Sequence, residues 1–123
     1  MNNILVCELS DIIEEEVVIK VDGFNIICFA NICPYKIEIN KEYPADIGFT
    51  ILDEWNIKEE NSEESNIIHI GNGFKYYLYG RINEDTLEVK SIKFQDDIFL
   101  TDYAYLNGKF VSLLVDRITL EFL

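Results

Sequence analysis

Apolar residues recur at alternate positions along most of the chain, the period of a strand with one buried face. Val17, Ile19 and Val21 share a parity, Asp22-Gly23 follows, and Phe24-Asn25-Ile26-Ile27-Cys28-Phe29-Ala30 continues beyond it. Both residues of an Asp-Gly pair tolerate positive φ, so this pattern predicts a two-residue hairpin. The second arm is apolar on both sides at several positions, which predicts a central, covered strand. Pro34 ends it. Tyr35, Ile37 and Ile39 alternate with Lys36, Glu38 and Asn40, predicting a half-buried strand, and 40–44 reads as a turn. Ile47, Phe49, Ile51 and Trp55 again share one parity, and the polar, acidic stretch 56–66 reads as an exposed loop or long hairpin tip.

From Ile67 the chain re-enters the fold and bends at Gly71-Asn72-Gly73. In the strand predicted next, Phe74, Tyr76, Leu78 and Ile82 face one way and Lys75, Tyr77, Tyr79 and Arg81 the other. Asn83-Glu84-Asp85 reads as a turn. Residues 86–94 read as a strand whose phase slips from Leu87/Val89 to Ile92/Phe94, which predicts a bulge near Lys90-Ser91. Residues 96–106 admit a short helix capped by Asp96 or Asp97, with Phe99, Tyr103 and Leu106 at i, i+4 and i+7. Aromatic and β-branched flanks favour instead a hairpin turning at Asn107-Gly108. Val111, Leu113 and Val115 then give way to Ile118, Leu120 and Phe122 of opposite parity, a slip that predicts a bend or bulge at Asp116-Arg117.

Seven to nine short strands with turns about every ten residues predict a single all-β domain over residues 1–123, with at most one short helix. The expected architecture is a small antiparallel barrel, OB-like and partly open, whose bent strands absorb the phase slips; a two-sheet β-sandwich is the alternative. Composition agrees: three alanines stand beside nineteen isoleucines, eight phenylalanines and seven tyrosines. At 123 residues and 49% hydrophobic content, the chain supports one core and is short for two ordinary domains. Its longest apolar stretch, 24–35, is interrupted by Asn25, Asn31 and Pro34 and is too short to span a bilayer as a helix. Met1-Asn2-Asn3-Ile4-Leu5 lacks the basic start of a secretory leader, and three cysteines at unremarkable spacing fit a reducing compartment. The expected location is cytoplasmic.

Charge sharpens the choice of partner. With 23 acidic against 10 basic residues, the net charge is −13, and no two bases are adjacent. Acids come in blocks: Glu8, Asp11, Glu14, Glu15 and Glu16, then Asp53, Glu54, Glu59, Glu60, Glu63 and Glu64 against Lys58 alone. Such a field repels phosphate backbones and anionic membranes and draws in cationic surfaces. A solubilising role would produce the same surplus of acid.

Little supports catalysis. His69 is the single histidine and lies in a strand-like stretch, with no local pairing to Cys7, Cys28 or Cys33 for nucleophilic chemistry. Cys28 and Cys33 form one short pair without the second pair that marks a zinc site. Adjacent carboxylates such as Asp96-Asp97 point to opposite faces of a strand, and Gly71-Asn72-Gly73 lacks the later glycine, lysine and helix of a phosphate loop. No catalytic residue, cofactor or metal ligand is therefore assigned. The leading expectation is a non-enzymatic, soluble acidic protein that binds a basic protein partner through Asp53, Glu54, Glu59, Glu60, Glu63 and Glu64. Many bacterial immunity proteins, which occlude a basic toxin or nuclease, answer to this class description by analogy. The second expectation is an OB-like module that takes an oligosaccharide or single-stranded nucleic acid on the face carrying Lys75, Tyr77, Tyr79 and Arg81.

Overall fold

The computed structural model describes residues 1–123. Its chain enters strand β1 (Asn2–Leu9), where Ile4 and Val6 point inward, and passes through an acidic loop to β2 (Glu16–Val21). Asp22 and Gly23, with φ of 51° and 84°, turn it back into β3 (Phe24–Ile32) with Val21 facing Phe24. This is the hairpin expected from the Asp-Gly pair, and it works because neither residue is β-branched at a positive φ. An irregular arm leads to β4 (Glu42–Thr50), which pairs back onto β1.

Between β4 and the last strand lies a second sheet. It comprises β5 (Asn56–Glu59), β6 (Asn66–His69), β7 (Tyr76–Asn83), β8 (Thr86–Val89), β9 (Ile92–Gln95) and β10 (Phe110–Val115). Its order is β5-β10-β7-β8-β9, with β6 sharing the edge of β7 alongside β8. The final strand, β11 (Arg117–Phe122), leaves this sheet and inserts between β3 and β4, so that β1-β2-β3-β11-β4 closes on itself as a ring. The molecule is thus nearly all β, in two sheets. Apolar side chains of both sheets, among them Ile4, Ile19, Ile26, Leu78, Phe94, Leu113, Ile118 and Phe122, form one buried cluster.

Several local expectations are corrected. The arm holding Tyr35, Ile37 and Ile39 is not a strand. Tyr35 and Ile37 pack against the core, and Tyr35 stacks on Tyr43 with centroids 5.8 Å apart, but every strand of the ring already has two partners. The turn there spans Ile39 and Asn40, the latter at φ 67°, and Glu42 to Pro44 already belong to β4. Of the stretch 56–66, the first four residues form β5 on β10, and Asn66 opens β6. Lys90-Ser91 is a two-residue hairpin turn rather than a bulge: Val89 faces Ile92 and Lys90 takes φ 53°. That turn lets Leu87, Val89, Ile92 and Phe94 all face the core. Residues 96–106 form neither the one short helix nor a hairpin arm but two 3-10 turns, Asp97–Phe99 and Ala104–Leu106. Asp96 caps the first by accepting the Ile98 N–H, and Phe99 and Leu106 are buried although no helix carries their spacing, while Tyr103 is half-buried. Finally, the ring is not wholly antiparallel, because β11 runs parallel to β3. It arrives after the whole second sheet, a connection long enough for a parallel pair.

Several long-range contacts join the sheets. The Ile27 N–H of β3 donates to the Tyr76 hydroxyl of β7 at 2.8 Å. At the tips of two hairpins, the Ser91 N–H donates to Asp22 Oδ2 at 2.8 Å, while Lys90 Nζ lies 4.9 Å from the centre of the Phe24 ring. Removing the tyrosine oxygen strands a backbone donor, so Tyr76→Phe is expected to lower the unfolding free energy by about 1–3 kcal/mol in urea titration. The hydrogen bonds from the Ser91 backbone and side chain hold the Asp22 carboxyl below its ordinary range. A depressed carboxyl stabilises the fold above the ordinary value, near about pH 4, and that contribution is lost as pH falls toward the folded value. Asp22→Asn is therefore expected to flatten the acid limb of a stability-versus-pH profile, and an unchanged limb would show that the contact carries no such energy.

Candidate functional site

Strand alternation and register together place the chemistry of the second sheet. Tyr76, Leu78, Gly80 and Ile82 of β7 are buried, so Tyr77, Tyr79 and Arg81 occupy its outer face. Opposite them on β10 stand Leu114, Ser112 and Phe110, and Ile68 and Asn66 of β6 face Tyr77 and Tyr79 from the other side. Tyr77 and Tyr79 lie with ring centroids 6.2 Å apart. The tyrosine row is therefore real, but it belongs to the second sheet and not to the ring.

The acidic block reaches the same face from two directions. Past β5 the chain folds back so that Glu60, Ser62 and Glu64 line a pocket of about 200 Å³ with Asn66, Ile68 and Tyr79. At the other end, Asp53 and Glu54 line a shallow groove with Trp55, Asn56, Lys75, Leu114 and Asp116. Glu59 is exposed on the edge strand β5. The six acids expected to act together are thus split by β5 into two groups that flank Tyr77, Tyr79 and Leu114. Trp55 offers no free anchor: it stacks on Tyr103 at 5.6 Å and meets Phe49 and Phe99 edge-on at 5.6 and 6.0 Å.

Local pairing decides how the cations read. Arg81 is held by Glu63, and its Nη1 donates to the Gly108 carbonyl at 2.6 Å. Lys58 lies 3.9 Å from Glu60. Of the four residues expected to form a cation-flanked ligand face, Lys75 alone is exposed without an ion pair, while Arg81 is neutralised in place. What remains is an aromatic stripe with carboxylates at both ends and Lys75 beside one of them.

The histidine and thiols have structural surroundings. His69 Nε2 donates to the Gly73 carbonyl at 2.6 Å, closing the β6–β7 turn, and its ring lies 4.8 Å from that of Tyr76. Burial pushes the Cys28 thiol far up from its ordinary range, away from a reactive thiolate. Cys7 is half-buried and Cys33 exposed, and no three His, Cys, Asp or Glu side chains converge on a metal-sized site.

Asn66, Ile68, Ser62 and Leu114 were not singled out in the sequence, although they line this surface. Ser62 and Asn66 fall in the stretch whose polarity reads as loop, and no local pattern specifies the pairing of β6 and β10 with β7. Across the whole chain, residues 1–123 match the sequence model of the family described as uncharacterised conserved protein UCP019853, and the protein belongs to that family. No curated protein and no solved structure matches it. No helix is long and apolar enough to cross a membrane.

The Arg81–Glu63 pair is half-exposed, with side-chain exposures of 43% and 71%. Glu63→Gln is accordingly expected to cost less than about 1 kcal/mol in urea unfolding, so its contribution is to the charge of the face and not to the fold.

Proposed function

We propose that this is a non-enzymatic binding protein that docks a basic protein partner on the outer face of its second sheet, in the manner of an immunity-type inhibitor of a toxin or nuclease. The observation that carries the reading is the meeting of Tyr79 with Glu60 and Glu64 in one pocket while Glu63 neutralises Arg81. Rigid aromatic area bordered by carboxylates suits a cationic surface: the ring supplies desolvated contact and the acids steer the encounter. The same neutralisation of Arg81 weakens any grip on a polyanion, which is why the oligosaccharide or single-strand reading ranks second.

The reading extends to architecture and location. We take the five-strand ring to be a barrel of the OB type with the second sheet inserted between its fourth and last strands. Its support is the order β1-β2-β3-β11-β4, in which the last strand enters beside the third and runs parallel to it. The free thiols of Cys7, Cys28 and Cys33 support the cytoplasm as its compartment.

Affinity capture at low and high salt, with mass spectrometry, tests the proposal. Glu59, Glu60 and Glu64 are replaced together by lysine, leaving Glu63 to hold Arg81. The wild type is expected to retain a strongly basic protein at low salt, and the triple variant is expected to lose it. Recovery that is unaffected by the charge reversal sinks the acidic-face reading. Binding of an oligosaccharide or DNA strand that disappears in Tyr77→Ala/Tyr79→Ala would put the second reading in its place.

A further inference from the structure

A different cleft, of about 510 Å³, opens where the β6–β7 turn approaches the crossing from β10 to β11. Its walls are the turn Gly71-Asn72-Gly73-Phe74 with Lys75 on one side, and Leu52, Asp116 and Arg117 on the other. Arg117 holds its guanidinium 4.2 Å from the centre of the Phe29 ring, and its Nε is buried without an acceptor. Neither Lys75 nor Arg117 takes part in an ion pair. Two unpaired cations on one cleft are notable in a chain of net charge −13.

The turn adds donors. The N–H groups of Gly71, Asn72, Gly73 and Phe74 donate to no backbone carbonyl. Successive turn amides form concavities suited to anions. An arginine stacked on an aromatic ring keeps its N–H edge available, and that planar fork matches the oxygens of phosphate. Asp116 lines the cleft as well, but its Oδ2 is engaged by the Leu52 N–H at 2.7 Å. Asp53 and Glu54 border the adjoining groove, which shares Lys75 and Asp116 with this cleft. They oppose diffuse accumulation of anions, so that only a ligand seated directly on the donors gains from the site.

We infer that this cleft binds a small organic phosphate, its oxygens held by Lys75, Arg117 and the amides of 71–74, and its apolar part lying against Leu52, Ile70 and Phe74. The site is distinct from the acidic face proposed above, although its Lys75 also borders the groove at one end of that face. It also differs from a phosphate loop, since no helix follows the turn and its second cation comes from a distant strand.

Amide NMR titration of the full chain with inorganic phosphate and with phenyl phosphate tests this, using sodium chloride at matched ionic strength as the reference. Shifts are expected at Gly71, Asn72, Gly73, Phe74 and Arg117 with both phosphates, and tighter binding with phenyl phosphate. Lys75→Gln and Arg117→Lys are each expected to weaken that binding about tenfold, the scale of one charge-assisted hydrogen bond, while Lys20→Gln leaves it unchanged. Lys75 is exposed, so its variant keeps the test valid even if Arg117→Lys disturbs the packing on Phe29. Shifts that chloride reproduces, shifts elsewhere on the surface, or equal affinity in Lys75→Gln would overturn the inference.

Discussion

Everything in this fold depends on how the chain crosses at Asp116. The strand before it, β10, is central in the second sheet, between β5 and β7; the strand after it, β11, fills the ring between β3 and β4. Val111, Leu113 and Val115 are buried ahead of the crossing, and Ile118, Leu120 and Phe122 behind it. A strand that kept its pleat would send one of these sets outward, because the side-chain period is two. One residue outside both strands reverses the parity, and Asp116 is that residue. Its N–H donates to the Thr50 carbonyl at 2.9 Å and its carboxylate accepts the Leu52 N–H, tying the end of β4 to the same point.

That crossing also determines which surfaces are left for binding. The inward faces of both sheets are consumed by a common core, and the two surfaces proposed for binding are the outer face of β7 and β10 and the cleft beside the crossing. The proposed partner face and the proposed phosphate cleft meet near Lys75, yet their cations are paired differently. On the outer face, Glu63 cancels Arg81 and leaves acids to dominate; in the cleft, Arg117 and Lys75 have no carboxylate of their own. In a protein of charge −13, such local pairing decides more than the total does, since screening confines each field to within about 8 Å.

Much of the strand pattern was legible in the sequence. The Asp22-Gly23 hairpin, the parity of β7 and the break at Asp116-Arg117 all follow from short-range rules, which act between residues adjacent in the chain. The errors share a cause. Tyr35, Ile37 and Ile39 alternate as a strand does, but a strand also needs an edge to pair with, and the ring offers none there. Lys90-Ser91 has the phase slip of a bulge, and a two-residue turn gives the same slip. Asn56-Ile57-Lys58-Glu59 looks like exposed loop because β5 is an edge strand with a single partner, so polarity is what that position selects.

The candidate site divides along the same line. Sequence alone determined that the chain is β-rich, that its acids are clustered, and that Tyr77 and Tyr79 share a side with Arg81. Those properties are carried by composition and by a period of two, neither of which requires knowing where other strands lie. Only the tertiary structure decided that Glu60 and Glu64 meet Tyr79, that Glu63 silences Arg81, and that Arg117 faces a glycine turn more than forty positions earlier. These are contacts between segments far apart in the chain. They are set by strand register and by the crossing at Asp116, and no local pattern specifies either.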